Sequence, residues 1–384
     1  MIKIEDPKKC CGCTACASIC PRNAISMEPD TLGFLYPQVD DTKCVNCGLC
    51  EKVCQFTDHY DRTNLFSEPK AYAARHKDIN EEALSRSGAV FAAVSDWILS
   101  QNGAVYGAGY VDHFRVAHKR ATTKSQRDGL RGSKYVQSDL TGIFHQIKND
   151  LKSENVVLFS GTPCQIAGLK GFLRKDYDNL YLMDIVCHGV PGPFIWRDYL
   201  SYVEKKNNGI VESFNFRDKS ELGWSWHKES FFLKNKKQKV YSFDYAKIFA
   251  ANIILRKSCS QCPFTNVQRP ADITIGDFWG WNRVDSEINK DDKGVSLVFV
   301  NSEKGSKIFD AIKDVLTYIP AKVSDCLQPN LQGPSTMHPK REPFEKYYAK
   351  YGFEAAIKKY CGFGWRGFVR RHLGALKRLV KGLK

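Results

Sequence analysis

Several patterns that define common protein classes are missing from this 384-residue sequence. No apolar run approaches the roughly 18 residues of a membrane-spanning helix, and the opening MIKIEDPKKC lacks the apolar core of a signal peptide. There is no Walker A run, no GxGxxG after a strand, and no RNA-recognition or helix-turn-helix pattern, so nucleic acid is not an expected partner. A constellation for nucleophilic or glycosidase chemistry is also missing, and no catalytic residue is assigned. We therefore expect a cytoplasmic protein of another class.

Cysteine and basic charge are abundant instead, with fifteen cysteines and a formal net charge of +15. Most cysteines stand in tight clusters, which in a reducing compartment indicates metal ligation rather than disulfides. Residues 1–60 carry six Lys and Arg residues against eight acidic ones, so the rest of the chain carries the whole positive excess. Such a surface favours acidic partners, such as nucleotide phosphates, a polyanionic cofactor, an acidic electron-transfer protein or anionic lipid.

The first cysteine clusters form an internal repeat. The spacing C-x2-C-x2-C-x3-C runs from Cys10 to Cys20 and again from Cys44 to Cys54. This is the bacterial-ferredoxin run for [4Fe–4S] clusters, in which the fourth cysteine serves the other cluster. The predicted ligand sets are therefore Cys10, Cys13, Cys16 and Cys54 for one cluster, and Cys44, Cys47, Cys50 and Cys20 for the second. Zinc is the alternative for C-x2-C pairs, but its ligands rarely come as three cysteines at consecutive gaps, twice over. Cys11 is left as a bystander, and Gln55 replaces the proline that would complete the second run.

The chain divides into three predicted parts. Residues 1–58 are predicted to form an α+β dicluster ferredoxin-type domain, followed by a polar linker over residues 59–70. A larger α/β flavin- and iron–sulfur-binding domain with a mixed or parallel sheet is predicted for residues 71–335, in an N-terminal part (71–150) and a C-terminal part (151–335). In this domain, 85–103 is typical of a helix, and AVYGAGYV with FRVAHKRA of a β-pair. Residues 336–384 form a basic tail.

Residues 155–193 predict a βαβ unit. NVVLFSGTPCQIAGLKGFLRKD indicates a strand, a turn and a helix, and NLYLMDIVCHGVPGP a second strand, so the strands should be parallel. Cys164 at the first turn and Cys187 at the carboxyl end of the second strand then share the sheet edge where such folds bind ligands. Together with Cys259 and Cys262 of RKSCSQCPF, they are predicted to ligate a third [4Fe–4S] cluster.

Alternatives remain for this third set of cysteines. Cys164 or Cys187 alone would serve as a small buried hydrophobe, and the C-x2-C pair in RKSCSQCPF would suit a local zinc or redox site. His188 next to Cys187 is interpreted as a support for that ligand rather than as a base. Cys11, Cys326 and Cys361 are left without an assigned role.

Candidate cofactor contacts come from four stretches of the larger domain. Ser87 and Gly88 precede the predicted helix of 85–103, where a helix N-terminus suits a phosphate or simply an N-cap. The other candidates are Lys134 and Tyr135 on a Gly-Ser turn, Gly161 and Thr162 before Cys164, and Arg269, Asp272, Asp277 and Trp279 in RPADITIGDFWGW, which could line a flavin or its substrate. For each of them the alternative is an ordinary turn, strand or surface residue.

These segments, taken in order, resemble a known family. SRSGAVF, GSKYVQS, LFSGTPCQIAGL, DIVCHGVP, FRDKSELGW, RKSCSQCPF and ADITIGDFWG, after the N-terminal repeat, resemble the coenzyme F420 hydrogenase/dehydrogenase beta-subunit family over roughly residues 1–310. Ser87-Gly88-Ala89 departs from the more usual Ser-Gly-Gly. The resemblance implies FAD beside an iron–sulfur cluster, and electron transfer between ferredoxin-type clusters and a two-electron acceptor. Members of the family include F420-reducing subunits, chlorophyll-derivative reductases and bacterial proteins similar to those encoded among surface-polysaccharide genes.

We therefore expect an iron–sulfur flavoprotein oxidoreductase with two N-terminal [4Fe–4S] clusters, a third cluster and FAD. Its expected partners are an electron-donating or electron-accepting redox protein and a small-molecule or cofactor substrate that is F420-like or a surface-polysaccharide intermediate. The alternative is a non-catalytic electron-transfer subunit that relays electrons to a partner. Flavin distinguishes the two, because two-electron chemistry requires it and a relay does not.

The end of the tail predicts an amphipathic basic helix. GWRGFVRRHLGALKRLVKGLK, residues 364–384, places apolar residues at helical spacing together with seven Lys and Arg residues and no acidic ones. Such a helix suits a membrane interface or a partner groove, and it equally suits packing on its own domain.

If the tail docks on membranes, the full-length protein should float with anionic liposomes, and a version ending at Tyr360 should not. The lost basic and apolar side chains supply both the electrostatic and the hydrophobic part of such binding. Equal flotation of the two proteins would exclude membrane docking through this helix.

Overall fold

The computed structural model describes residues 1–56, 63–234 and 239–363. Its cysteine-rich N-terminal part contains an antiparallel pair of strands, β1 (Ile25–Pro29) and β2 (Leu35–Val39), and two short helices, α1 (Ala15–Ile19) and α2 (Leu49–Lys52). The Asp30 carboxylate shapes the turn between the strands, because it accepts hydrogen bonds from the backbone N–H groups of Leu32 and Phe34, both at 2.9 Å. Each helix begins just before the third cysteine of its run. The arrangement is that of a ferredoxin-type domain.

The larger part is built on one eight-stranded mixed sheet. Its strands are β3 (Leu65–His76), β4 (Ala104–Val111), β5 (Arg115–Ala121), β6 (Val157–Gly161), β7 (Leu180–Ile185), β11 (Ile273–Asp277), β12 (Ser296–Ser302) and β13 (Leu316–Ala321). Their order across the sheet is β13-β3-β12-β11-β7-β6-β4-β5. The four strands β11, β7, β6 and β4 are parallel neighbours, and the outer pairings are antiparallel. The carboxyl ends of the parallel strands therefore meet at one edge.

Helices cover both faces of this sheet. On one face lie α6 (Ile143–Lys152) and α7 (Pro163–Leu173), and on the other α4 (Val90–Ser100) and α10 (Glu303–Ile312). Successive side chains of a strand point to opposite faces: Val157 and Phe159 pack towards α6 and α7, whereas Leu158 packs towards α4 and α10. Each face buries its own apolar layer, so the sheet is held rigidly between them.

A second lobe adjoins the sheet. It contains a three-stranded antiparallel sheet of β8 (Val211–Asn215), β9 (Glu229–Leu233) and β10 (Val240–Ser242), with α8 (Pro193–Asn207), α9 (Asp244–Ala250) and α12 (Arg341–Tyr360). Its core is rich in aromatic residues around Trp196 and Tyr199, and Leu32 and Phe34 of the N-terminal part pack into it. The remaining helices are α3 (Ile79–Ala83), α5 (Lys124–Asp128) and α11 (Val323–Cys326). The N-terminal part is thus anchored in the core of the larger one.

The expected βαβ unit and β-pair are confirmed, and the helix predicted over 85–103 is found as the shorter α4. The predicted linker is partly wrong, because β3 begins at Leu65 and not after Lys70. Residues 65–70 pair irregularly and with β12 alone, whereas β13 pairs only with residues 71–76. Residues 65–70 therefore lie at an edge of the sheet. An edge tolerates Pro69, because no second strand there needs a backbone N–H from it. The tail helix predicted for 364–384 lies outside the described residues. In the described ranges, no helix has both the length and the apolar character to cross a bilayer.

Helix α7 joins the two parts of the molecule through two glycines. A Cβ at Gly168 would lie 2.6 Å from Cys13 Cβ, and one at Gly171 would lie 2.2 Å from the carbonyl oxygen of Val53. Both distances are shorter than any real side-chain contact, so only glycine permits this approach. The N-terminal part therefore rests directly on the helix that begins at Pro163.

Replacing Gly171 by Ala should destabilise the protein by about 1–3 kcal/mol through overpacking, although alanine raises helix propensity. The measurement is thermal unfolding of the protein purified without oxygen. Gly333→Ala is the control, because nothing lies within 4 Å of a Cβ at that position. An unfolding midpoint for Gly171→Ala at or above that of the control would contradict the close approach.

Candidate iron–sulfur centres and cofactor cavity

The two ferredoxin-type runs have matching backbone conformations. Gly12 and Thr14 have positive φ angles of 70° and 66°, and their counterparts Asn46 and Gly48 have 51° and 71°. Left-handed residues at both positions turn the chain sharply. Three cysteines at two-residue gaps can then surround one centre, so the sequence repeat is also a repeat of local structure.

The first set of cysteines combines both runs. Burial, together with the charges of the nearby Cys13 and Cys10, raises the pKa of Cys54 to about 11 and also raises the pKa of Cys16. Cys54 of the second run therefore lies with the first three cysteines of the first run, as the crossed ligand pattern requires. A bound metal would take the protons from these thiols. The assignment of Cys10, Cys13, Cys16 and Cys54 as ligands stays a prediction that this grouping supports.

The second set surrounds a small cavity. Its wall includes Cys20, Cys44, Cys47 and Cys50. Two of these sulfurs accept backbone hydrogen bonds at 3.3 Å, Cys50 from the N–H of Ile2 and Cys20 from the N–H of Ala24. Backbone donors to sulfur are typical of iron–sulfur sites, where they tune the reduction potential. The residues present fit a cluster at this position.

The third set lies at the carboxyl edge of the large sheet. Cys164 is in the first turn of α7, Cys187 follows β7, and Cys259 and Cys262 lie in and just after a 3-10 helix at Lys257–Gln261. Burial, followed by the charges of the other three, raises the pKa of Cys187. The four thiols thus act on one another although they come from three separate segments. This convergence supports their predicted role as ligands.

The described cysteines, histidines and acidic residues nowhere come together as three or more ligands around a point where a single ion could sit. A zinc site needs four sulfurs at about 2.3 Å from one ion. A [4Fe–4S] cubane is larger and is held by thiolates that stand further apart.

A cavity of about 610 Å³ opens beside the third set, which is a typical volume for a cofactor site. Its wall includes Cys187 and seven of the predicted cofactor contacts, namely Ser87, Lys134, Tyr135, Gly161, Thr162, Asp277 and Trp279. Gly161, Thr162, Asp277 and Trp279 come together because β6 and β11 end at the same edge of the sheet, and Ser87, Lys134 and Tyr135 reach it from loops. Ligand contact by these seven residues stays a prediction, but the structure brings them to one place.

Gly88, Arg269 and Asp272 lie elsewhere. Gly88 fits closely against a strand, since its Cβ would lie 2.1 Å from the carbonyl oxygen of Ala74, and its N–H donates to Ser296 Oγ at 3.0 Å. Arg269 is occupied by an ion pair with the buried Asp184, at 3.3 Å. Asp272 accepts hydrogen bonds from the Leu182 N–H and the Ser302 hydroxyl. These three residues hold the sheet together rather than line the cavity.

The cavity is also lined by three arginines that the sequence did not indicate as cofactor contacts, namely Arg86, Arg131 and Arg217. Each has buried N–H groups that make no hydrogen bond in the described ranges: Nε and Nη1 of Arg86, Nη1 of Arg131 and Nε of Arg217. Arg86 Nε has only a long ion pair, 3.9 Å from Asp277 Oδ2. Unsatisfied buried donors are costly and call for an acceptor. Arg86 and Arg217 lie in segments already quoted for the family resemblance, and Arg131 immediately precedes another of them, so this proximity was the available signal. The wall fits a polyanionic cofactor.

An aromatic wall stands next to these arginines. The rings of Trp224 and Trp279 stack with centroids 4.5 Å apart, and the Arg217 guanidinium lies 5.2 Å from the Trp279 ring centroid. The Asp277 carboxylate accepts hydrogen bonds from Arg217 and, at 3.1 Å, from Trp224 Nε1. Trp279 is 44% exposed, so a planar ring could still stack on it.

Lys134 is a buried amine at the cavity wall. Its Nζ donates to the carbonyl oxygens of Leu130 and Arg131 at 2.9 and 2.6 Å. Burial, helped by the charge of Lys119, lowers the pKa of Lys134 to about 7. A negative ligand would favour the charged form and raise this pKa again. The charge of Lys134 near pH 7 therefore depends on whether an anion is bound, whereas a surface lysine would be charged in either case.

A hydrogen-bond chain fixes the turn that carries Gly161 and Thr162. The Gln165 side chain accepts from the Thr162 N–H and donates to Ser138 Oγ, both at 2.9 Å. That hydroxyl bonds His118 Nδ1 at 2.9 Å, and His118 Nε2 lies 3.0 Å from the carbonyl oxygen of Ser160. Burial lowers the pKa of His118 to about 4, so the ring is neutral at pH 7 and supports the turn.

Comparison with known families gives two matches. Residues 9–57 match the model described as a 4Fe-4S dicluster domain, and residues 154–322 match the C terminus of the coenzyme F420 hydrogenase/dehydrogenase beta subunit. The chain is therefore an iron–sulfur protein of an oxidoreductase class. Residues 154–322 therefore carry the C-terminal domain of the coenzyme F420 hydrogenase/dehydrogenase beta subunit, and residues 9–57 carry a dicluster ferredoxin-type domain.

No curated protein sequence matches the chain. Among solved structures it is similar to a chain of the F420-reducing [NiFe] hydrogenase complex from Methanosarcina barkeri, in a xenon derivative. The two chains are 17% identical, the alignment covers 78% of this chain and 94% of that one, and the TM-score is 0.47. A similarity this distant carries no argument about function.

If the third set holds a cluster, Cys164→Ser should lose about four of about twelve irons per chain. The measurement is iron and acid-labile sulfide in protein purified without oxygen. Cys326→Ser is the control, because Cys326 is a buried cysteine outside the three sets whose thiol donates to the carbonyl oxygen of Lys322. Full iron content in Cys164→Ser would remove Cys164 from the ligand set.

Proposed function

We propose that this protein is an iron–sulfur flavoenzyme that moves electrons between its ferredoxin-type clusters and a two-electron acceptor through FAD. The observation that carries the proposal is the cavity that shares Cys187 with the third cysteine set and presents unpartnered arginine N–H groups. The family supplies the oxidoreductase class. The substrate class, F420-like or a surface-polysaccharide intermediate, and the redox partner protein remain part of this proposal.

The residues of the wall divide the work of holding FAD. Lys134 and the arginines would neutralise the phosphates. The turn Gly161-Thr162, fixed by Gln165 at the start of α7, would lie against the cofactor. Trp279 and Tyr135 would pack against the rings. Bound flavin accepts electrons singly and in pairs, which is the conversion that a two-electron substrate needs.

Charge at the cavity mouth would select the substrate. The half-buried Lys219, whose pKa is lowered to about 8 by burial, donates to the carbonyl oxygens of Glu82 and Lys293 and lies in the same basic region as Arg86. Asp277 is held by Arg217 and Trp224, so the positive side chains outnumber the acidic ones there. An anionic two-electron carrier would be attracted to such a site.

The first test is the cofactor content of the full-length protein purified without oxygen. We expect about one FAD per chain together with about twelve irons. Full iron content without flavin, even after incubation with FAD, would contradict the proposal and favour a relay subunit whose chemistry lies in a partner.

Lys134→Met should weaken FAD binding by about tenfold or more, because one hydrogen bond to a charged group contributes about 1.5–3 kcal/mol. Fluorescence titration of flavin-depleted protein measures this. Lys152→Met, an exposed lysine at the end of α6, is the control and should bind normally.

The same titration should depend on pH. Lys134 is charged below about pH 7 and neutral above it, so affinity for the phosphates should fall as the pH rises through about 7. The variant Lys134→Met should lose this dependence. A pH profile identical in wild type and variant would mean that Lys134 does not contact the cofactor.

A further inference from the structure

Cys11 was set aside as a bystander, yet its thiol occupies a special position. It is 6% exposed and lies within hydrogen-bonding reach of the thiols of both Cys13 and Cys164. Cys13 belongs to the N-terminal set and Cys164 to the third set. One unassigned sulfur therefore touches a ligand candidate of each centre.

The chain holds Cys11 firmly in this position. Its carbonyl oxygen accepts a hydrogen bond from Gln137 Nε2 at 2.8 Å, and the Gln137 backbone N–H donates to the carbonyl oxygen of Pro191. A Cβ at Gly12, the next residue, would lie 2.8 Å from Arg256 Nη1, so the loop lies tightly against that side chain. The contact between the two cysteine sets is thus built from both parts of the molecule.

Arg256 is the cation of this junction. It is 1% exposed, and its guanidinium donates to the carbonyl oxygens of Cys10 and Leu35, to Gln137 Oε1 and, at 3.5 Å, to Cys10 Sγ. Its own carbonyl oxygen accepts from the N–H of Cys259 at 3.0 Å. The guanidinium also lies 4.2 Å from the Tyr36 ring centroid. Arg256 therefore touches the N-terminal set with its side chain and the third set with its backbone.

We propose that Cys11 is the electron-transfer link between the Cys10, Cys13, Cys16 and Cys54 set and the third set, and that Arg256 is the positioning residue that fixes the link and raises the potential of the centre beside it. The cluster held by one set would lose one electron and the cluster held by the other set would gain it. Cys11 keeps its proton, and no covalent bond forms or breaks. The inference rests on the proposed clusters but not on the proposed flavin.

The sulfur matters because electron tunnelling decays faster across empty space than across atoms in contact. Cys11→Ala would leave a gap between Cys13 and Cys164, and the close-packed surroundings would fill it only in part. Cys11→Ser would keep a hydroxyl donor with a smaller, less polarizable atom. Cysteine, serine and alanine at position 11 therefore form a series in which the contact between Cys13 and Cys164 weakens step by step.

The experiment uses the full-length protein with its clusters, purified without oxygen. A ruthenium photosensitiser reduces the exposed end of the dicluster domain by a laser flash, and freeze-quench EPR follows the arrival of the electron at the third centre. We expect the rate to fall several-fold in Cys11→Ala and less in Cys11→Ser, at unchanged iron content. Cys326→Ala, which removes a buried thiol elsewhere, should transfer at the wild-type rate.

Either of two results would overturn the role of Cys11. An unchanged rate in Cys11→Ala would show that the sulfur is not on the route, and a loss of iron would make it a ligand instead. A protein without flavin would end the proposed function, but the same EPR measurement would still test the link.

The role of Arg256 is tested by the reduction potential of the centre beside Cys10, because a purely structural residue would leave that potential unchanged. A buried cation stabilises the more negative, reduced form of a neighbouring centre. Arg256→Met should therefore lower the reduction potential of the centre beside Cys10 in an EPR-monitored titration, and Arg256→Lys should restore most of it. An unchanged potential in a folded, iron-replete Arg256→Met protein would contradict this role.

Discussion

The organisation of this protein depends on the contact between helix α7 and the N-terminal part. Gly168 and Gly171 let the backbone around Cys13 and Val53 approach more closely than any side chain would allow. The same helix carries Cys164 in its first turn and is capped by Thr162 and Gln165. Because one short helix carries both the contact and a member of the third set, the distance between the centres is fixed by rigid secondary structure.

The sheet edge adds the second constraint. Strands β6, β7 and β11 are parallel neighbours, so the segments that follow them deliver Thr162, Cys187 and Asp277 to one place. Cys187 belongs both to the third set and to the cavity wall. The third cysteine set and the cavity therefore share a residue, so the proposed cluster and the proposed cofactor would lie side by side.

Sequence reasoning worked where spacing or topology determines the chemistry. The cysteine repeat predicted the dicluster domain, and the βαβ pattern placed Cys164 and Cys187 at one edge before any coordinates were known. It failed where tertiary contacts decide. Arg269 pairs with the buried Asp184 and so lies away from the cavity. Strand β3 includes a segment that has the composition of a linker and pairs irregularly. Cys11 has Cys13 as a local neighbour, but its second neighbour, Cys164, is 153 positions away in the sequence.

The two halves of the cysteine repeat have different surroundings. The first half is enclosed by α7 and Arg256, whereas Cys47 of the second half is exposed and Val45 beside it is 60% exposed. Dioxygen would thus reach the two ferredoxin-type centres unequally. In air, oxidative damage would begin at the exposed centre of the second half and reach the enclosed centre later. A protein sample exposed to air would therefore pass through a form that has lost the exposed centre and keeps the enclosed one.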